Sequence, residues 1–119
     1  MISGKVTNLH ALMNITFRLA NGSFQELPFV VDTGFTGFLT LPLRDAELLG
    51  LPFEYDQVAN LADDSEILLP VHTGSIIWSG GELDVRVLVT GRRPLLGTAL
   101  LSRCELTAEF VENGSVTIE

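Results

Sequence analysis

The chain has 119 residues, of which 46% are hydrophobic, with seven Lys plus Arg against fifteen Asp plus Glu. That length suits one hydrophobic core and is too short for two ordinary domains, so a single domain over 1–119 is expected. The net charge of −8 repels phosphate backbones and anionic lipid surfaces, which sets nucleic-acid binding aside.

No apolar run approaches the length needed to span a bilayer, so no direct membrane insertion is expected. Nothing near Met1 combines a basic segment, a long apolar stretch and a cleavage site, and the lone Cys104 has no internal disulfide partner, which together point to the cytoplasm. His10, His72 and Cys104 are scattered without ligand spacing, so neither a metal nor another cofactor is expected. A mean hydropathy of +0.35 leaves apolar surface for a partner, most simply a second copy of the chain.

In chain order, Met13, Ile15, Phe17 and Leu19 alternate with Asn14, Thr16 and Arg18, the period of a strand with one buried face. Asn21-Gly22 readily takes the positive φ angles of a tight hairpin, so 23–31 is read as returning antiparallel and ending in Phe29-Val30-Val31. Pro42 through Gly50 carries Pro near its start and Gly at its stop, as a short helix does. A long hairpin follows, from 67–78 to 82–89 around Ser79-Gly80-Gly81, in which Leu83, Val85, Val87 and Val89 alternate with Glu82, Asp84 and Arg86. A second short helix is predicted at 98–103. The last hairpin runs from Leu106, Ala108 and Phe110 through Glu112-Asn113-Gly114 to Ile118. Short strands with turns between them and little helix describe an all-β barrel or sandwich.

The run Phe29-Val30-Val31-Asp32-Thr33-Gly34 delivers a carboxylate from a buried strand into a turn, and Gly there lets the backbone pack closely. A buried acid is costly unless it is paired or used. By itself the tripeptide also fits an ordinary strand-ending turn. About sixty residues later comes Leu95-Leu96-Gly97-Thr98-Ala99-Leu100-Leu101, two apolar residues, a Gly and an amphipathic turn.

The two signals together resemble the retropepsin-like aspartic peptidases, in particular their bacterial and archaeal single-domain members, and the tail 95–119 is similar to that of ubiquitin-associated retropepsin-like proteases. The resemblance covers nearly the whole chain. It implies a closed acid-protease barrel with two short helices, one Asp-Thr-Gly per subunit, and a homodimer. Asp32 would be the catalytic carboxylate, Thr33 would brace the paired loops across the dimer axis, and Gly34 would permit their close approach. Leu96 and Gly97 would support the loop from behind. The terminal strands would join a sheet shared between subunits, with Leu106, Phe110, Val116 and Ile118 in the contact.

The implied activity is hydrolysis of peptide bonds in an extended peptide or protein substrate. With one Asp-Thr-Gly in the chain, the second aspartate must come from the partner, so Asp32 meets its copy on the two-fold axis. Two such carboxylates about 3 Å apart share one proton, and the pair activates a water while donating to the substrate carbonyl.

Two departures from the family pattern bear on the substrate-binding residues. Phe35 stands where Ala or Ser usually follows the motif, which crowds the site and removes a hydroxyl; the implied optimum is mildly acidic. The implied flap, Asn60-Leu61-Ala62-Asp63-Asp64-Ser65, has no glycine; Ala62, Asp63 and Asp64 would lie over the cleft, the two acids either favouring a basic substrate segment or merely solvating a type I turn. A catalytically silent dimer serving as a peptide-binding or assembly module is the alternative, and a monomeric small-ligand binder a weaker one. His72 with Cys104 as nucleophile lacks an orienting group, so Cys104 is read as a small buried hydrophobe and Trp78 as a core or interface anchor.

Overall fold

A computed structural model describes all 119 residues, Met1–Glu119. Ten strands and one helix follow in chain order. They are β1 (Ile2–Thr7), β2 (His10–Arg18), β3 (Phe24–Val31), β4 (Leu39–Leu41), α1 (Leu43–Leu49), β5 (Phe53–Asn60), β6 (Glu66–Trp78), β7 (Gly81–Val89), β8 (Leu95–Leu96), β9 (Leu106–Ala108) and β10 (Ser115–Ile118). No helix is long and apolar enough to cross a membrane.

The predicted alternation in β2 holds: Ala11, Met13, Ile15 and Phe17 are buried, because successive side chains of a strand point to opposite faces. The hairpin to β3 closes differently from the Asn-Gly expectation. Only Gly22 is left-handed, at φ 84°; its N–H donates to the Leu19 carbonyl at 2.9 Å, and the Leu19 N–H donates to the Ser23 carbonyl at 2.8 Å. This is the longer loop with one left-handed glycine. Ser79 and Gly80, at φ 49° and 81°, make the two-residue turn between β6 and β7, where Trp78 pairs with Gly81.

Helix α1 starts behind Pro42 and stops at Gly50, whose φ of 64° is left-handed. The Leu51 N–H then reaches back to the Ala46 carbonyl at 3.2 Å, satisfying an orphan acceptor as glycine-terminated helices do. Ala46 and Leu49 face the core, and burial of one such leucine is worth roughly 1.5–3 kcal/mol.

Strand pairing runs β5-β6-β7-β4-β8-β3-β2-β1-β10-β9, and β6 also pairs with β2. Six strands, β6, β7, β4, β8, β3 and β2, therefore form a circuit that returns on itself, while β5 and the β1-β10-β9 wing lie outside it. The core fills the circuit: Phe17 and Phe29 pack with ring centroids 6.0 Å apart, among Met13, Ile15, Leu39, Leu41, Ile76, Val87 and Leu96, all at most 1% exposed.

Two expectations are corrected. Residues 98–103 form no helix. Leu100, Leu101 and Cys104 each donate to the carbonyl three residues back, a run of tight turns that Arg103 ends at φ 65°. The terminal hairpin is also seated otherwise. Val116 and Ile118 are at most 2% exposed within the chain and Leu106 packs against the same core, because β10 pairs with β1 from Ile2↔Ile118 to Lys5↔Ser115. Of the four residues assigned to a dimer contact, Val116 and Ile118 are thus removed by burial, while Leu106 is half-buried and Phe110 exposed. Trp78 is half-buried against the core.

Thr40, in β4, is 3% exposed and its hydroxyl has no hydrogen-bond partner. An unsatisfied buried hydroxyl costs stability, and replacing it with an apolar group of the same shape removes that cost. Thr40→Val is accordingly expected to raise the unfolding free energy by about 1 kcal/mol in a chemical denaturation series.

Candidate active site

Strand β3 enters the core with Phe29 buried and ends at Val31, leaving Asp32 half-buried. The Asp32 N–H donates to the Leu96 carbonyl at 2.9 Å, continuing the parallel pairing of Val30 with Leu95 and Val31 with Leu96. The chain then turns through Thr33 and Gly34, both exposed. The Gly34 N–H donates to Asp32 Oδ1 at 2.9 Å and the Phe35 N–H to the Asp32 carbonyl at 3.2 Å. One carboxylate oxygen is thus oriented by the turn that follows it, and Oδ2 takes no hydrogen bond within the chain. A Cβ on Gly34 would come within 3.2 Å of Oδ1.

Leu96 and Gly97 lie behind this loop. Leu96 is fully buried. A Cβ on Gly97 would meet the Gly37 carbonyl oxygen at 2.2 Å and the Phe35 carbonyl oxygen at 2.7 Å, so only glycine fits. Three consecutive N–H groups tie the two segments together: Gly97 donates to the Phe38 carbonyl at 2.9 Å, Thr98 to Phe35 at 2.8 Å and Ala99 to Gly37 at 3.1 Å. The Phe35 ring lies against Gly37 and Gly97, so the bulk that follows the motif packs onto these two glycines.

Cross-strand partners share a face of the sheet, and the register sets Val30, Leu95, Thr40, Leu88, Val71 and Tyr55 in one row. The row begins two residues before Asp32 and ends on β5. A β-bulge between Phe53 and Tyr55 sets the phase of that strand. Beside the row a cavity of about 310 Å³ lies between the Asp32 loop and β5–β7, lined by Phe35, Phe38, Leu39, Tyr55, Val71 and Leu88 with the polar Thr36, Gln57 and Arg86. Sequence reasoning found Phe35 and missed the β5–β7 residues. Leu88, apolar among the polar positions of the β7 alternation, was the available signal.

Ala62, Asp63 and Asp64 stand at the exposed tip of the β5–β6 hairpin, and no hydrogen bond joins them to the Asp32 loop. The Asp63 carboxylate accepts the Ser65 hydroxyl at 2.5 Å and its N–H at 3.0 Å. These bonds, the hydroxyl first, hold Asp63 below its ordinary carboxylate value. Asp64 is left-handed at φ 65°, completing a glycine-free turn. His72 has Nδ1 2.8 Å from the Leu51 carbonyl; a carbonyl only accepts, so Nδ1 carries the proton. Cys104 packs against the core, and the two form no hydrogen bond.

Among solved structures the chain is similar to a retropepsin-like aspartic protease from Rickettsia conorii, with a TM-score of 0.60 and 22% identity over 99% of this chain and 87% of that one. No protein-family model matches the sequence, and no curated protein matches it either. The chain therefore shares the fold of that protease: mostly β, compact, with one short helix.

Gly97→Ala is expected to cost about 1–3 kcal/mol of stability by thermal or chemical denaturation, since the methyl meets backbone oxygens that have nowhere to go. For Asp63, the folded value lies below the unfolded one, so its contribution to stability is present above the unfolded value and vanishes as pH falls through the folded one. An NMR titration should find the Asp63 carboxyl titrating below the ordinary aspartate value, and Ser65→Ala should move it back up.

Proposed function

We propose that the chain is one subunit of a homodimeric aspartic endopeptidase, a single domain over 1–119 whose circuit of strands is the closed barrel of an acid protease. The observation that carries this reading is the setting of Asp32. Its backbone is fixed to Leu96, one carboxylate oxygen is held by the Gly34 N–H, the other is free, and an apolar row leads away from it, all within a fold shared with a retropepsin-like protease.

In the dimer, Asp32 faces the partner's copy across the two-fold axis, Thr33 braces the two loops, and Gly34 allows the carboxylates to approach. Like charges at such separation cannot both persist, so the pair shares one proton. The ionised member takes a proton from a bound water as that water attacks the peptide carbonyl carbon. The protonated member donates to the carbonyl oxygen, and the tetrahedral intermediate collapses as the leaving amine is protonated. No acyl-enzyme forms. The cavity beside Phe35 receives a side chain of an extended peptide, and the β5–β6 hairpin closes over it with Ala62, Asp63 and Asp64 at its tip. Extended peptides suit such a cleft because their backbone groups pair as a strand does.

The test is cleavage of a diverse unstructured peptide pool from about pH 4 to 7, read by mass spectrometry, for wild type and Asp32→Asn at concentrations where both are dimeric. Wild-type cleavage that falls at least about a hundredfold in the mutant, and specific activity that drops on dilution, are the expected results. A wild-type dimer that binds peptides yet cuts none would instead make the chain a peptide-binding module.

A further inference from the structure

The cavity beside the Asp32 loop has an unusual charge for this molecule. The chain carries −8 overall, and the hairpin from Phe53 to Glu66 contains Glu54, Asp56, Asp63, Asp64 and Glu66 with no Lys or Arg. Yet the single charged residue lining the cavity is a cation, Arg86. Its neighbours there are apolar or aromatic (Phe35, Phe38, Leu39, Tyr55, Val71, Leu88) or neutral and polar (Thr36, Gln57).

Arg86 is also underused. Its Nε lies 3.7 Å from Glu54 Oε2, with both side chains well exposed; this is an ion pair too long to be a hydrogen bond. None of the five guanidinium N–H groups donates to an acceptor within the chain. The guanidinium carbon sits 5.7 Å from the centroid of the Tyr55 ring, a cation–π placement that limits where the head group points. Residues 86 and 88 alternate onto the same face of β7, which joins the arginine to the apolar row through Leu88.

From this geometry we propose that Arg86 is a specificity-determining residue and that the cavity selects a glutamate side chain of the peptide substrate, a deepening that rests on the peptidase reading above. The methylenes of the glutamate lie on Phe38 and Leu88, and its carboxylate takes the free N–H groups of Arg86, a charge-assisted contact of the kind arginine makes through two parallel bonds. Glutamine keeps the shape and loses the charge; lysine meets a like charge. Glu54, 3.7 Å from Nε, draws on the same charge, but none of the five N–H groups donates to it, so they remain for a substrate carboxylate.

The experiment uses short, extended aliphatic peptides in which Glu, Gln or Lys is scanned through each position. Binding to Asp32→Asn is followed by fluorescence anisotropy, and cleavage by wild type by mass spectrometry. One position is expected where Glu binds roughly three- to tenfold more tightly than Gln, with Lys weakest. Arg86→Gln should erase the Glu-over-Gln difference, and Arg86→Glu should invert the order toward Lys and cut the Lys peptide. Circular dichroism checks that both variants fold, and Arg86→Gln alone decides the matter where the charge reversal, beside Glu54 and Asp84, does not. Equal binding of the three peptides at every position, or a Glu preference that survives Arg86→Gln, overturns the assignment. Arg86-dependent Glu binding without any wild-type cleavage would uphold this subsite and sink the peptidase reading instead.

Discussion

The structure hinges on how closely two residues of backbone, Leu95 and Leu96, can be wedged between two other strands. Strand β8 runs parallel to β3 on one side and antiparallel to β4 on the other, and the next residue must pass within contact distance of the Phe35 and Gly37 carbonyl oxygens. A residue with no side chain at 97 makes that passage possible. Everything nearby follows from it. Asp32 is fixed through its N–H to Leu96, and the 35–38 loop is sewn down by Gly97, Thr98 and Ala99. Strand β4 is thereby set against β7, completing the circuit.

Because strand side chains alternate, the same short strands serve two purposes on their two faces. Leu96, Leu39 and Val87 point inward and are fully buried; the residues beside them, Leu95, Thr40 and Leu88, form the row that leads from Asp32 toward Tyr55. Packing that stabilises the chain therefore also aligns that row. The buried, unpartnered hydroxyl of Thr40 lies in that row, the one buried side-chain polar atom left without compensation.

Much of this was legible in the sequence where local chemistry decides structure. The alternation of Met13, Ile15 and Phe17 gave β2 its buried face, Pro42 and Gly50 bracketed α1, and Ser79-Gly80 marked the turn of the long hairpin. Strand β1 went unread: Gly4 dilutes its pattern, and that glycine is demanded by the backbone of Leu12, which a Cβ would strike. The amphipathic look of 98–103 suggested a helix, but its first N–H groups are spent on the Asp32 loop and the remainder closes only three-residue turns. For the candidate site, Asp32, Thr33, Gly34, Phe35, Leu96 and Gly97 were visible because they are contiguous in two short motifs, and the fold brings these two segments together. Tyr55, Gln57, Val71 and Arg86 were not, since register across three strands, not any local pattern, gathers them at one cavity.

The seam of the circuit is short: Phe17 pairs with Ile76 and Arg18 with Ser75, and there the ladder between β2 and β6 ends. These partners are about sixty residues apart in the chain, while Ile2 pairs with Ile118 from nearly opposite ends. Such distant pairings make the contact order high, and loop-closure entropy must be met before they return any stability. Local hairpins such as β6–β7 assemble early, the seam closes late, and folding belongs on the millisecond-to-second scale of barrels rather than the microsecond scale of helical bundles. In the interval before closure the apolar strands of an open sheet offer their edges to other chains, so the two residue pairs of the seam divide a sheet that aggregates from a chain that folds.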